Sequence, residues 1–341
     1  MSSIKLKRGR TTNLQPVPAS VRAGDYVFTS SIYPADDQGH AIGIDAARGE
    51  IGPALIEAQT KSCLDELANF LSEHGSGLDR VLKASVHLAD AADYHEFKLV
   101  WREAFPKNPP ARTTVEVGDT LPLPGARISI DAIALAGDSK LKPEPLTDPD
   151  GSDPMEAEWA PHAVRAGNFV FCSTLTASDL ETGLAVGRAP GFPNYGSDAT
   201  MQANFVFERL NRVLAGADTS LQNALEAYLY EPDLQTFNDI DTVWREFMQP
   251  PPCRSSMGMA GLLVPGACFV ADLTVLVPDK NQAKAELREG IEYHPVERRK
   301  VNFTPTLTAG PWLFYAGKTA GDMNTVHTAP RGLPNHFSDI E

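Results

Sequence analysis

The chain has 341 residues, 42% hydrophobic and 22% charged, an ordinary globular composition that is too long for one typical domain core. A formal net charge of −14 argues against a sequence-independent grip on a phosphate backbone, which needs a basic surface, so no nucleic-acid partner is expected. No apolar run is long enough to span a membrane, the basic N-terminus MSSIKLKRGR lacks the apolar stretch of a signal peptide, and Cys63, Cys172, Cys253 and Cys268 lack zinc-ligand spacing, which together fit a reducing cytoplasm.

One unit is written two and a half times. AGDYVF, AGNFVF and AGPWLF set Gly24, Gly167 and Gly310 before a predicted strand, 143 residues apart each time. The same offset carries Gln59 onto Gln202 and Trp101 onto Trp244, while Arg112 falls on Arg254 and the PGA turn at Pro124 on that at Pro265.

The first unit spans 1–137. Strands are predicted near 20–21, 27–31 and 81–88. The helix over 53–72 has Pro53 in its first turn, Gly75 past its end, and Leu55, Leu64, Leu67 and Leu71 on one face. A second helix is predicted over 92–105. Residues 110–134 then read as a β-hairpin: Val115 and Val117 alternate with polar neighbours, Pro122, Pro124 and Gly125 turn the chain, and Ile128, Ile130, Ala132 and Ala134 resume the alternation. The order is β-β-α-β-α-β-β, an α+β unit with a mixed sheet backed by two helices.

Residues 138–154, rich in Pro, Asp, Gly and Ser, read as an exposed linker. The second unit spans 155–280, with helices near 197–215 and 234–247. Residues 281–299 read as a more charged linker with a short helix, and 300–341 as the N-terminal part of a third unit. There GLPNHFSD (332–339) echoes GFPNYGSD (191–198), which leads into a helix in the second unit, so a longer natural product or a partner that completes the third unit is expected.

Arg112 follows the Pro109-Pro110 break at the mouth of a strand, where a planar guanidinium can fork a carboxylate. Thr114 and Ser256 lie two residues beyond Arg112 and Arg254, so in a strand they share the face of their arginine. His87 reads as a core or interface histidine, His95 and Glu96 as a solvated helix face, and His162 as a residue near a cleft wall. No HExxH, CxxC pair, P-loop or GxGxxG after a strand occurs, so no metal, nucleotide or other cofactor is suggested.

The 110–134 stretch, with VRAGDYVFTSSIYPADDQG (21–39), IEAQT (56–60) and VLKASVHLADAADYHEF (81–97), closely resembles the reactive-intermediate deaminase family, RidA or YjgF, over residues 16–135. The resemblance implies a chorismate-mutase-like α+β fold in tandem, homotrimers with ligand sites between subunits, and hence an intrachain pseudo-trimer or homo-oligomer here. It implies hydrolysis of enamines and imines such as 2-aminoacrylate. An Arg grips the substrate carboxylate, a Glu on the last strand positions water, and a Tyr from the N-terminal strand closes the cleft.

Arg112 and Arg254 match the family Arg. Thr114 and Ser256 fall where the family often has Cys, and Ser30 and Ser173 match a cleft Ser. The family Glu aligns with Ser129 and Val270, neither of which is a base at neutral pH. Asp131 and Asp272 lie two positions on, and Asp131 is the candidate substitute. The Tyr becomes Val17 and Ala160. The cleft Gly becomes Ser31 and Thr174, is restored at Gly317, and is followed there by Lys318. The reading is a hydrolytic deaminase of a small carboxylate-bearing metabolite, held through Arg112, Thr114, Ser30, Arg254, Ser256 and Ser173. The alternatives are a pathway-specific hydrolase or lyase on a carboxylated substrate, as in the chorismatases that also resemble this fold in tandem, and a non-catalytic metabolite-binding or interaction protein.

Overall fold

The three repeat glycines each take a positive φ, 61° at Gly24, 60° at Gly167 and 59° at Gly310, at the first position of a two-residue turn. An L side chain is disfavoured there, which is why the same Gly opens each hairpin. The computed structural model describes residues 6–9, 17–43, 53–150, 159–179, 183–185, 196–287 and 302–317.

The first unit runs β1 (Leu6–Arg8), β2 (Ser20–Ala23), β3 (Tyr26–Thr29), α1 (Pro53–Ser72), β4 (Val81–Leu88), α2 (Tyr94–Ala104), β5 (Ala111–Glu116) and β6 (Ile128–Leu135). The second runs β7 (Glu144–Leu146), β8 (Ala163–Ala166), β9 (Phe169–Cys172), the short ribbon β10 (Ser178–Asp179) and β11 (Gly183–Leu184), then α3 (Asp198–Ala215), β12 (Ala224–Glu231), α4 (Phe237–Phe247), β13 (Cys253–Gly258) and β14 (Val270–Leu276). Finally β15 (Lys284–Glu286), β16 (Thr306–Ala309) and β17 (Trp312–Tyr315) form a three-stranded sheet. Two six-stranded mixed sheets, each with two helices, make this the expected α+β tandem.

The 110–134 stretch is not a hairpin. The first sheet has the order β1-β2-β3-β6-β4-β5, so β4 lies between β5 and β6. β5 runs parallel to β4 and β6 antiparallel to it. The helix α2 supplies the crossover that a parallel pair requires, and residues 117–127 carry the chain back over the end of β4. Alternation alone cannot distinguish neighbouring strands from strands with a third between them. The second sheet repeats this order, and the buried Gln of each repeat clamps the loop: Gln59 donates to Gly125 O and accepts from Arg127 N, as Gln202 does with Gly266 O and Cys268 N.

Neither expected linker is a plain spacer. β7 pairs with β8 and β15 with β16, as β1 pairs with β2, so each connecting segment supplies the leading edge strand of the next unit. Asp148 in the first connector is only 3% exposed. Arg209 Nε donates to it at 2.9 Å and Arg212 NH2 at 3.0 Å. Residues 288–301, including most of the second connector, and the 332–339 echo lie outside the described residues.

The helices cover one face of each sheet, with Leu64, Leu67, Phe97 and Trp101 buried in the first unit and Phe207, Leu210 and Trp244 in the second. The other sheet faces meet one another. Tyr26, Phe169 and Trp312, one ring from each unit, pack with centroids 5.5–5.7 Å apart. Between the first two units Lys83 reaches across to Asp272 at 3.0 Å, and Thr113 Oγ1 donates to the same carboxylate at 2.6 Å. Lys83 Nζ also donates to Thr113 Oγ1 at 2.8 Å and to the carbonyl of Cys172.

Removing one partner of such a buried pair strands the other charge. Asp272→Ala is expected to lower unfolding free energy by about 3–5 kcal/mol, and the double variant Lys83→Met/Asp272→Leu by much less. Urea denaturation of the three proteins checks this. For Asp148, burial pushes the carboxyl up, but the bonds from Arg212 and Arg209 win and hold it down at about 2. Its contribution is therefore present above the ordinary Asp range and lost as pH falls toward 2. Asp148→Asn should cost about 2 kcal/mol at pH 7, and the gap to wild type in thermal melts should close on acidification.

Candidate functional site

β5 is an edge strand, and the second unit closes its open side. Ser173 Oγ accepts from Arg112 N at 2.9 Å, and Thr174 N donates to Arg112 O at 3.1 Å. Farther along, Glu116 pairs with Gly261. Arg112 is thus fixed at a seam between units by its own backbone, which satisfies groups that an uncovered edge would leave open.

The registers Ala84↔Arg112 and Val86↔Thr114 put Arg112 and Thr114 on the face that carries the helices. The guanidinium, 2% exposed in residue terms, lies against the rings of α2: 5.6 Å from Tyr94, 5.4 Å from Phe97 and 5.3 Å from Trp101. Its NH2 donates to the Tyr94 hydroxyl at 2.7 Å. Lys98 Nζ stands 5.7 Å from the Tyr94 ring centroid, adding a second positive charge. Trp159, from the start of the second unit, lies 3.4 Å from the Arg102 guanidinium and covers α2. Trp101 Nε1 and Thr114 Oγ1 are buried and make no hydrogen bond among the described residues. This buried cluster is rich in cationic and donor groups, a setting suited to an anion.

The second seam is closed by different bonds, and its guanidinium is paired with an acid. Thr304 N donates to Pro252 O at 2.8 Å, and Cys253 Sγ to Phe314 O at 3.3 Å. Gly317 lies against β13, where a Cβ would come within 2.6 Å of Ser255 Oγ, so only Gly fits without a shift. Here Arg254 NH1 donates to Asp241 at 2.7 Å, with Phe237 and Trp244 rings at 5.0 and 5.1 Å. Asn302 Nδ2 donates to the same Asp241, and Asn302 O accepts from Trp244 Nε1 at 2.8 Å. Glu231, fully buried where the first unit has Leu88, is a second acid near Arg254. Burial pushes its carboxyl up to about 7, against the pull of Arg254 and the adjacent Ser256 hydroxyl. Two acids around one guanidinium disfavour a further carboxylate.

The other expected residues fall elsewhere. Asp131 pairs with Ser85, and Ser129 with His87, on the sheet face opposite Arg112. Burial pushes the Asp131 carboxyl up to about 6, with Asp272 adding to the rise and the Ser85 bond and Lys83 opposing it. Ser129 Oγ is 3.5 Å from His87 Nδ1. Ser30 repeats the local bond of Ser173, donating to Pro18 O at 2.8 Å as Ser173 does to Pro161 O at 2.5 Å, but no described contact joins it to either arginine. His162 is buried and its Nδ1 accepts from Asp148 N at 3.1 Å, a structural role. Lys318 lies outside the described residues.

The residues that sequence reasoning missed are Tyr94, Lys98, Asp241, Asn302 and Trp159. Their signal is the difference between repeats: Tyr94, Lys98 and Trp159 stand where the next repeat has Phe237, Asp241 and Asn302.

A family model described as Endoribonuclease L-PSP matches residues 15–136 and 152–269. The 3-aminoacrylate deaminase RutC of Acinetobacter baylyi is 33% identical over 131 residues, 38% of this chain and 95% of that protein. The 2-iminobutanoate/2-iminopropanoate deaminase of Rattus norvegicus is 30% identical over 137 residues, 40% of this chain and 95% of its own length. A solved member of the YjgF protein family from Neisseria meningitidis aligns with 27% identity and a TM-score of 0.33, covering 40% of this chain and 100% of its own. With two successive segments matched, which together span more than half of its length, the chain belongs to the L-PSP family, also called RidA or YjgF, as a tandem member.

Proposed function

We propose that the chain is a hydrolytic deaminase of small enamine or imine metabolites that carry a carboxylate, and that turnover takes place at the first seam. The observation that carries this reading is the set of buried donors around Arg112, with Trp101 Nε1 and Thr114 Oγ1 making no hydrogen bond among the described residues. The deaminase relatives, whose names specify 3-aminoacrylate and 2-iminopropanoate, support the substrate class. The net charge of −14 argues against carrying the endoribonuclease description over to this chain.

In this reading the substrate carboxylate displaces the Tyr94 hydroxyl from Arg112 and takes the guanidinium fork. Thr114, on the same face, hydrogen-bonds the reacting end. An enamine first tautomerises to the imine, a proton moving from nitrogen to carbon; water then adds to the C=N carbon, its proton passes to nitrogen, and the carbinolamine expels ammonia to leave an oxo acid. Imine hydrolysis is facile without a strong base, so fixed placement and polarisation replace the family Glu, whose position here is Ser129 on the opposite sheet face. The two seams act as intrachain counterparts of subunit contacts, in a pseudo-trimeric arrangement. The loss of that Glu in both repeats, at Ser129 and Val270, favours one second reading, a non-catalytic carboxylate-binding module.

The test is conversion of 2-iminopropanoate to pyruvate above the spontaneous rate. Arg112→Ala should lower kcat/KM by about 100-fold or more, the loss of two charge-assisted hydrogen bonds. Arg254→Ala should change it by less than about 3-fold, because the Asp241-paired guanidinium does not reach substrate. Acceleration that survives Arg112→Ala overturns the assignment. No acceleration, with Arg112-dependent binding of pyruvate by calorimetry, replaces it with the binding module.

A further inference from the structure

Where the three units meet, a cavity of about 460 Å³ opens on the side of the sheets away from the helices, apart from both seam arginines. Its size falls within the range of small-molecule sites. Phe28 of the first unit, Phe171 of the second, and Trp312 and Phe314 of the third form its walls. Phe28 and Trp312 pack with centroids 5.9 Å apart, so the wall is preformed. Among the lining residues Glu226 carries the one carboxyl group, and none is basic. Tyr228 OH donates to Glu226 Oε1 at 2.9 Å and fixes the carboxyl in the cavity.

The chemistry is opposite to that of the first seam. A lone carboxylate without a cation repels the anions that Arg112 would bind, and ring faces carry negative potential that attracts cations. We propose that this cavity binds an organic ammonium ion, an aryl- or alkylammonium whose charge sits between Glu226 and the ring faces while its apolar part fills the rest. All three units contribute walls, so the site exists only because the third hairpin docks on the first two. Burial pushes the Glu226 carboxyl up, with the Tyr228 bond opposing and Asp272 adding to the rise, the condition that a bound cation relieves.

Benzyltrimethylammonium is the probe, titrated into the full chain by calorimetry with tryptophan fluorescence as a second readout. Saturable one-to-one binding is expected. Glu226→Gln should weaken it at least 10-fold while leaving the circular dichroism spectrum unchanged, and Trp312→Leu should remove the fluorescence response. The uncharged isostere neopentylbenzene should bind at least 10-fold more weakly, and benzoate not at all. Failure of the cation to bind, equal binding of the uncharged isostere, or undiminished binding to Glu226→Gln would each overturn the proposal. Sedimentation showing that a second copy of the chain occupies this face would overturn it too.

Discussion

A single buried ammonium holds the first seam together. Lys83 sits on the sheet face turned away from the helices, and its charge is compensated in the second unit, by Asp272 and the Cys172 carbonyl. Burying a charge without such partners is prohibitive, so the first sheet cannot present that face to a mismatched neighbour. Register follows from this. With Lys83 on Asp272, the backbone of Arg112 meets Ser173 and Thr174, and Glu116 meets Gly261. The candidate site is therefore a consequence of docking: one unit supplies the strand and its arginine, and the next fixes where that strand lies.

The same scaffold then diverged by a few side chains. At the first seam α2 offers Tyr94 and Lys98 around the arginine, and at the second α4 offers Phe237 and Asp241. Lys against Asp at one helix position inverts the local charge without altering the backbone. Asn302 completes the change by engaging both Asp241 and the Trp244 indole, while its counterpart Trp159 packs on Arg102 in the first seam. Asp241 joins Arg254 at 2.7 Å while Glu231 crowds the same guanidinium, so the second seam reads as a buried ion-pair network with a structural role. A homotrimer cannot separate these functions, because every substitution appears in all of its clefts; a tandem chain can.

Much of this was legible from residue patterns. α1 falls where its Pro53 start, its Gly75 stop and the spacing of its leucines place it, and β4 spans the strand expected over 81–88. The repeat glycines and the clamping glutamines were visible as spacing, although the clamp itself was not. Three features were not legible. β5 and β6 alternate correctly yet do not pair, since alternation reports a strand's two faces and is silent on its neighbours. The leading strands β7 and β15 have three residues each, too short for any period, inside segments whose composition is that of loops. The pairing of Arg254 with Asp241 joins a strand to a helix 13 positions earlier, a contact with no local signature.

The third hairpin meets the second unit along β12 and β13. Each seam sets the edge strand of one unit beside the hairpin of the next, and the first seam adds Asp272 of β14 and Gly261. β16 and β17 provide that hairpin for β13, and Leu307 and Ala309 are buried as they do so. The helices of the first two units cover the opposite sheet face. Among the described residues, two six-stranded sheets and one three-stranded sheet form the two seams. The cost falls on β17, where Leu313 and Tyr315 remain 43% and 56% exposed beside Glu226, at the mouth of the aromatic cavity. Among the described residues, the hairpin that closes the second seam also walls the aromatic cavity, so the two features have one cause.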